Sequence, residues 1–227
     1  MIKLVDCLPE TNAQSVALAR IKCTFSAYPN YPKIALFWAQ TDDEGRVNAL
    51  LSLMERTLCV YAEGVNEELS LFIKSQDFDF IFADEQIADA LFLKGERVCA
   101  LRFEANGEEE AKEPTNPREI YEIFKDDFKL NELEFIADLS HRIRHGCAFC
   151  VKGENAAAVV QRAGKVFLLT GIAVKKEARG KGVGSEILSE IKIKAKGEIF
   201  LCCKGEVLPF YLKNSFKQIG FCKIGRI

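Results

Sequence analysis

The stretch TGIAVKKEARGKGVGSEILSEI, residues 170–191, passes from an apolar strand pattern through three alternating glycines into an amphipathic helix pattern. The apolar residues after the glycines have helical spacing and predict a helix that packs on a sheet and ends at Gly197: Val183, Ile187, Leu188, Ile191 and Ala195. The first turn of such a helix carries unpaired backbone N–H groups, and glycines let an anion approach them closely. The junction therefore predicts a phosphate-binding site.

Two common phosphate loops fit this junction poorly. A Walker A loop has its lysine directly after the last glycine, whereas Lys181 lies between glycines and Ser185 follows Gly184. A dinucleotide loop has GxGxxG spacing and an acidic residue at the end of the next strand, whereas here the spacing is GxGxG and EIFLCC, residues 198–203, ends in cysteines. The sequence excludes the first loop and leaves the second as a weak alternative.

A third kind of loop matches in place. Arg179, Gly182 and Gly184 form the pattern Arg-x-x-Gly-x-Gly between a strand that ends in valine and a helix. Together with the later segment LPFYLKNSFKQIGF, residues 208–221, and with the order of elements over 149–227, this pattern resembles the GNAT superfamily of N-acetyltransferases. The family commonly has glycine before the phenylalanine of its GF pair, whereas Ser215 stands there in this chain, so we expect a different turn.

The resemblance implies acetyl-CoA as cosubstrate and assigns its contacts. Backbone groups at the end of the strand would hold the pantetheine arm, and an amide near Ala173 would polarise the thioester carbonyl: Ile172, Ala173 and Val174. The loop and the first helical turn would hold the pyrophosphate: Arg179, Gly180, Lys181, Gly182, Val183, Gly184 and Ser185.

The resemblance also singles out one side chain for catalysis. Tyr211 matches the position where many family members place a hydroxyl donor for the departing thiolate, although Phe210 and Tyr211 would equally serve as aromatic packing on a helix. An alkylamine must lose a proton before it attacks, yet the strand FLLTGIAV, residues 167–174, carries no carboxylate. The base is therefore expected from ordered water, from the first half of the chain or from the surroundings of the substrate.

The two halves of the chain have the same order of elements. LFWAQTDDEGRVNALLSLMERTLCVYAEG, residues 36–64, parallels AFCVKGENAAAVVQRAGKVFLLTGIAV, residues 148–174, and helix, strand, helix and strand patterns follow in both halves. We therefore predict an α+β fold of two similar GNAT-like domains, each a mixed, mostly antiparallel twisted sheet flanked by helices. The predicted bounds are a degenerate domain without a cofactor loop at 1–105, a linker at 106–117 and the acetyl-CoA-binding domain at 118–227.

The segment HRIRHGCAFC, residues 141–150, contains both histidines of the chain and a CxxC pair, which are possible zinc ligands. His141 and His145 are one helical turn apart, but Cys147 and Cys150 would point to opposite faces of a continuous strand. We therefore expect surface histidines and core thiols, and no metal.

Composition limits the partners. The 31 basic and 33 acidic residues nearly balance, which disfavours nucleic acid. The chain has no apolar run of bilayer length, and its first residues, MIKLVDCLPE, lack the apolar core of a signal peptide, so no membrane partner and a cytoplasmic location are expected. The nine cysteines are predicted to be reduced, mostly buried thiols.

These features predict an N-acetyltransferase that moves an acetyl group from acetyl-CoA to a primary amine. The acceptor, a small molecule or a peptide, is expected between the halves or beside Tyr211, and a homodimer is possible. The alternative is a non-catalytic acyl-CoA-binding regulatory protein with the same fold.

Overall fold

The computed structural model describes residues 1–11, 14–108 and 115–227. The helices in these ranges are α1 (Val16–Ala27), α2 (Glu67–Ser75), α3 (Glu85–Ala90), α4 (Pro117–Phe124), α5 (Glu132–Arg144), α6 (Val183–Lys194) and α7 (Leu208–Lys213). The strands are β1 (Ile2–Leu4), β2 (Ala35–Thr41), β3 (Val47–Met54), β4 (Thr57–Ala62), β5 (Phe80–Asp84), β6 (Lys94–Asn106), β7 (Ala148–Lys152), β8 (Ala156–Ala163), β9 (Val166–Val174), β10 (Lys196–Cys203) and β11 (Lys217–Arg226). No helix within these ranges is long and apolar enough to span a membrane.

The strands form one sheet in the order β1-β2-β3-β4-β5-β11-β6-β10-β9-β8-β7. The pairs β4/β5 and β9/β10 are parallel, and the other neighbours are antiparallel. With β1 set aside, β2 to β5 on one side of the centre mirror β7 to β10 on the other. The predicted mostly antiparallel α+β fold with a repeated unit is confirmed, and the two units share one sheet.

The last strand of each half is exchanged between the halves. Strand β6 of the first half pairs with β10, from Lys196↔Asn106 to Cys203↔Cys99. Strand β11 of the second half pairs with β5 and, at the centre of the sheet, with β6. A Cβ added at Gly225 would lie 2.0 Å from the carbonyl oxygen of Lys94, so glycine is needed where the two exchanged strands meet. Neither half completes its sheet without the other.

Helices cover both faces of the sheet. On one face α6 and α7 pack on the second half, around Leu169 and Leu201, and α2 and α3 pack on the first half, around Leu51 and Ile81. On the opposite face α4 and α5 cover the outer strands of the second half. Helix α1 lies on that face across the strands of both halves, against Leu50, Leu168 and Phe200 among others.

The end of α6 differs from the end that the sequence predicts. Helix α6 ends at Lys194 and not at Gly197, because β10 begins at Lys196 opposite Asn106. Gly197 is therefore a strand residue with φ +142°, and a Cβ there would lie 2.1 Å from the carbonyl oxygen of Lys165. Helix α1 begins at Val16, after the N-cap Ser15.

The predicted linker at 106–117 lies mostly outside the described residues, because 109–114 are not described. Of its described residues, Asn106 ends β6 and Pro117 begins α4. The domain bounds at 105 and 118 remain a prediction.

Candidate functional site

Strands β9 and β10 separate in the middle of the second half. They pair only between Val166–Leu168 and Glu198–Phe200. Beyond that point β9 continues to Val174 paired with β8, and β10 continues to Cys203 paired with β6. We call the gap between their ends the wedge. It lies at the carboxyl ends of two parallel strands, where open α/β sheets commonly bind ligands.

A β-bulge directs backbone groups of β9 into the wedge. Val159 pairs with Gly171 and Val160 with Leu169, so Thr170 is the extra residue, and its Oγ1 donates a hydrogen bond to the carbonyl oxygen of Val159 at 3.2 Å. A bulge changes which residues turn their amides to the neighbouring strand. The amides of β9 consequently change sides at Thr170.

The direction of the amides after the bulge follows from one hydrogen bond. The N–H of Lys175 donates to the carbonyl oxygen of Asn155 at 2.8 Å, so it faces β8. Because backbone groups alternate along a strand, Ala173 also faces β8, whereas Ile172 and Val174 face the wedge. The geometry favours Ile172 and Val174 over Ala173 as backbone partners of a pantetheine arm and of a thioester carbonyl.

The loop after β9 presents a run of free amides. Within the part of the chain that the structure describes, the N–H groups of residues 180–184 have no hydrogen-bond acceptor. The next two amides, of Ser185 and Glu186, donate to the carbonyl oxygen of Gly182 at 2.8 and 3.2 Å. Helix α6 has no side-chain cap at Gly182. Five consecutive free N–H groups at the positive end of a helix form a strong anion site.

The glycines of the loop have two different roles. Gly180 and Gly182 have φ of +75° and +89°, which favour glycine, and a Cβ on Gly182 would meet no atom within 4 Å. The space above Gly182 is therefore open to a ligand. A Cβ on Gly184 would instead lie 3.2 Å from Cζ of Phe210 and 3.5 Å from Cγ2 of Val174, so this glycine lets α6 start close to α7 and β9.

The guanidinium group of Arg179 is held by the protein. Its Nε donates to the carbonyl oxygen of Val174 at 2.8 Å, and its Nη2 donates to Oδ1 and Oδ2 of Asp127 at 2.6 and 2.7 Å. Arg179 thereby links the loop to the end of β9 and to the segment after α4. The sequence assigned Arg179 to the phosphate and gave no sign of Asp127, which lies 52 residues away.

Tyr211 lies on α7 with its ring buried and only 5% of its surface exposed. The ring packs edge-to-face on Phe210 and on Phe216, with centroid distances of 5.1 and 5.6 Å. Its hydroxyl has no hydrogen-bond partner among the described residues. The oxygen is not fully buried, so it retains contact with solvent. Burial, and then the Cys203 thiol at the end of β10, raise the pKa of Tyr211. The hydroxyl is therefore protonated at neutral pH.

The turn after α7 keeps the shape that glycine favours. Ser215 has a φ of +65°, and its N–H donates to the carbonyl oxygen of Leu212 at 3.0 Å. The serine adopts the left-handed conformation that glycine favours, and the expected difference from the turn of the family stays a prediction. Asn214 joins this turn to the loop, since its Nδ2 donates to Oγ of Ser185 at 3.1 Å and to the carbonyl oxygen of Phe210 at 2.8 Å.

A cleft opens on the opposite face of the sheet, under α1 and α5. It consists of cavities of about 340 and 140 Å³ that share Glu55, Asp138, Gln161 and Thr170. Its walls come from α1, the β3–β4 turn, the α4–α5 segment, β8 and β9. Thr170, the bulge residue, connects the cleft with the wedge. Sequence reasoning missed Glu55 and Thr170, because no motif surrounds either residue.

An ion pair within α5, between the buried Arg142 and the half-buried Asp138, lies beside the cleft and faces α1. Arg142 is 3% exposed, and its Nε donates to both carboxylate oxygens of Asp138 at 2.9 Å. The hydroxyl of Tyr28 donates to the same carboxylate at 2.6 Å. The charge of Asp138 is thus compensated within the protein.

The histidines and cysteines of 141–150 have other contacts. His141 stacks on Tyr28 at a centroid distance of 4.5 Å, and its Nε2 lies 2.8 Å from the carbonyl oxygen of Ala27. Cys147 and Cys150 are buried. Over 1–11, 14–108 and 115–227, no three His, Cys, Asp or Glu side chains are arranged to hold a metal ion.

The loop before α2 in the first half has a different structure. Gly64 is the one glycine at 63–66 and has no positive φ, whereas Gly180 and Gly182 do. The side chain of Asn66 caps α2 by accepting a hydrogen bond from the N–H of Leu69 at 2.8 Å, whereas α6 has no side-chain cap. The described loop before α2 therefore lacks the positive-φ glycines and the uncapped helix start of the loop at 180–184.

Residues 133–218 match the family of acetyltransferase (GNAT) domains. This match covers β9, the free-amide loop, α6 and Tyr211. The second half has the fold of a GNAT domain. No curated protein sequence is significantly similar to the chain.

Solved structures with the GNAT fold superimpose on nearly the whole chain. One is a GCN5-related N-acetyltransferase from Sphaerobacter thermophilus, with a TM-score of 0.59, 11% identity, and coverage of 93% of this chain and 91% of that chain. Another is a GCN5-related N-acetyltransferase from Kribbella flavida, with a TM-score of 0.59 and 10% identity. The match covers 95% of this chain and 96% of that chain. A tandem GNAT protein from the clavulanic acid biosynthesis pathway has a TM-score of 0.50 and 9% identity. This match covers 99% of this chain and 97% of that chain. At these identities the likeness shows the fold alone.

Proposed function

We propose that the chain transfers an acetyl group from acetyl-CoA to a primary amine. The observation that carries this proposal is the run of free amides at 180–184, which lies directly after the strand that borders the wedge. A pyrophosphate suits this run for two reasons. Its negative charge is stabilised by hydrogen bonds from backbone N–H groups at a helix start, and the space above Gly182 is open. Acetyl-CoA supplies the activated acyl group as a thioester.

The residues of the chain have distinct tasks in this reaction. The amides of Gly180 to Gly184 bind the pyrophosphate, and Ile172 and Val174 bind the pantetheine arm by strand-like hydrogen bonds from β9. We expect an arm held in this way to bring the thioester near Thr170, which lines the cleft, and proximity to an amine there would remove much of the barrier of a bimolecular attack. Tyr211 donates its proton to the departing thiolate, because its raised pKa keeps the hydroxyl protonated.

The class of acceptor, the cellular location and the oligomeric state are proposed from the sequence. Near-neutral charge favours a small-molecule or peptide acceptor over nucleic acid, and the protein is expected to act in the cytoplasm without a membrane partner. A homodimer is compatible with this proposal.

The second candidate is a regulatory protein that binds acyl-CoA without turnover. It is favoured by the absence of a carboxylate from Val166–Val174, the strand beside the wedge. In this case the loop serves as a sensor of acyl-CoA concentration.

Titration calorimetry with acetyl-CoA, followed by thiol release with a panel of primary amines, separates the candidates. Binding together with amine-dependent thiol release supports the transferase. Binding without any amine-dependent release identifies the sensor, and the absence of binding overturns both.

A further inference from the structure

The cleft is lined by residues of the first half as well as by β9, which borders the wedge. Glu55 lies in the β3–β4 turn of the first half and lines both cavities together with Thr170 of β9. The turn has two consecutive residues with positive φ, Glu55 at 48° and Arg56 at 59°, as a type I′ hairpin requires. Arg56 holds the turn by ion pairs with Asp77 and Asp79 at 3.0 and 2.8 Å.

The Glu55 carboxylate has no hydrogen bond or ion pair within the described ranges. The charged groups that face it come from two helices: Glu134, Asp138 and Arg142 of α5, and Arg20 of α1. Partial burial, and then the carboxylates of Asp138 and Glu134, raise the pKa of Glu55, while Arg142 and Arg20 act in the opposite direction. Lys129 lies farther along the same cavity. Glu55 and Glu134 are the carboxylates of the cleft without a partner among the described residues, and of these two only Glu55 also lines the cavity of about 140 Å³. The raised pKa means that Glu55 holds a proton more tightly than an ordinary glutamate does.

The other end of the cleft is apolar. Phe128, Leu130 and Phe135 line it where the segment between α4 and α5 covers the sheet. Phe128 packs on Phe124 at a centroid distance of 5.0 Å, and Phe135 packs on Phe124 at 5.9 Å. The cleft thus combines an aromatic wall, a free carboxylate and an opening at Thr170, which together suit an amine with an apolar body.

We propose that the first half completes the acceptor site: the Glu55 carboxylate binds the ammonium group of an amine whose apolar body lies on Phe128 and Phe135, and accepts a proton from it. This inference rests on the proposed function. Glu55 takes one proton from R–NH₃⁺, and the neutral amine forms a C–N bond to the thioester carbonyl carbon. The C–S bond breaks, the thiolate receives the proton of Tyr211, and the second proton lost by the nitrogen returns the tyrosine to its neutral form.

The test uses the full chain with coenzyme A bound and phenethylamine as the probe. The variant is Glu55→Gln, which keeps the size of the side chain and removes its charge. The matched control is Glu63→Gln, an exposed glutamate of the same half that lines neither cavity. Thermal unfolding of both variants checks that the fold is kept.

We expect Glu55→Gln to weaken phenethylamine binding at least tenfold, as measured by calorimetry, with unchanged affinity for acetyl-CoA. With acetyl-CoA as donor, kcat/KM for the amine should fall by about 10²- to 10⁴-fold, the usual effect of losing a general base. In the wild type kcat/KM should decline as the pH falls through the raised pKa of Glu55, and this decline should be absent from the variant.

The outcomes separate this inference from the function on which it rests. If acetyl-CoA does not bind to the wild type, the proposed function is wrong. If acetyl-CoA binds but phenethylamine does not, or if Glu55→Gln behaves like Glu63→Gln, the transferase proposal survives and the role of Glu55 is overturned.

Discussion

Arg179 and Asp127 form a two-point contact: one guanidinium nitrogen, Nη2, lies 2.6 and 2.7 Å from the two carboxylate oxygens. The pair joins the free-amide loop to the segment between α4 and α5, which also covers the cleft. Because the charge of Arg179 is compensated by Asp127, backbone amides would provide most of the attraction for the proposed pyrophosphate. In the proposed complex Arg179 would accordingly order the loop more than it binds the ligand.

Arg179→Ala should weaken acetyl-CoA binding by less than about tenfold, since partly exposed ion pairs contribute little. Asp127→Ala should have a similar effect, because either change breaks the same contact, and the double variant should be no worse than the single ones. Calorimetry of the three variants measures this. A hundredfold loss for Arg179→Ala alone would mean that the guanidinium group turns to the phosphate.

Gly182→Leu should abolish acetyl-CoA binding, because a side chain would occupy the space above the free amides and the φ of +89° disfavours it. Gly164→Leu is the matched control, since Gly164 also has a positive φ, +58°, and open space around it, in the β8–β9 turn. Both variants should lose comparable stability in urea unfolding. Retained binding by Gly182→Leu would show that the pyrophosphate lies elsewhere.

Tyr211→Phe should lower kcat by about 10²-fold and leave acetyl-CoA affinity nearly unchanged, because only the hydroxyl is removed from a packed ring. The raised pKa of Tyr211 also has a consequence for the pH profile: loss of activity by ionisation of this residue should occur above its ordinary pKa of about 10. Stopped-flow measurement of thiol release gives both quantities. An unchanged kcat would leave Tyr211 with a packing role alone.

Ser215→Gly should stabilise the protein by about 1 kcal/mol, because a side chain in the left-handed region carries strain that glycine does not. For a chain of this length the melting temperature would rise by roughly 2–4 °C. Differential scanning calorimetry provides the measurement. A lower melting temperature would mean that the entropy gained by the unfolded glycine chain outweighs the relieved strain.

The sequence predicted the local features of the second half well. Glycine spacing, the apolar stripe of α6 and the position of Tyr211 are contained in short segments, so the loop and its helix could be recognised without a structure. The end of α6 was misplaced at Gly197, because the sequence does not show that β10 begins at Lys196 in register with Asn106. The positive φ of Ser215 could not be read from the sequence, because side-chain type alone does not fix φ.

The cleft could not be predicted, because its residues come from distant parts of the chain. Glu55 and Thr170 line one cleft only in the folded chain, and no periodicity of the sequence encodes that proximity. The exchange of β6 and β11 was equally inaccessible, since alternating apolar residues show that a strand has a buried face but not which strand is its neighbour.

The strand exchange has a consequence for synthesis on the ribosome. When residues 1–108 have emerged, β5 still lacks its partner β11, which is made more than 100 residues later. An uncovered strand edge can recruit other chains, so this intermediate is exposed to misassembly until Lys217–Arg226 have emerged. Truncation before Lys217 would leave this edge permanently open, and the nascent amino-terminal half is therefore expected to depend on chaperones.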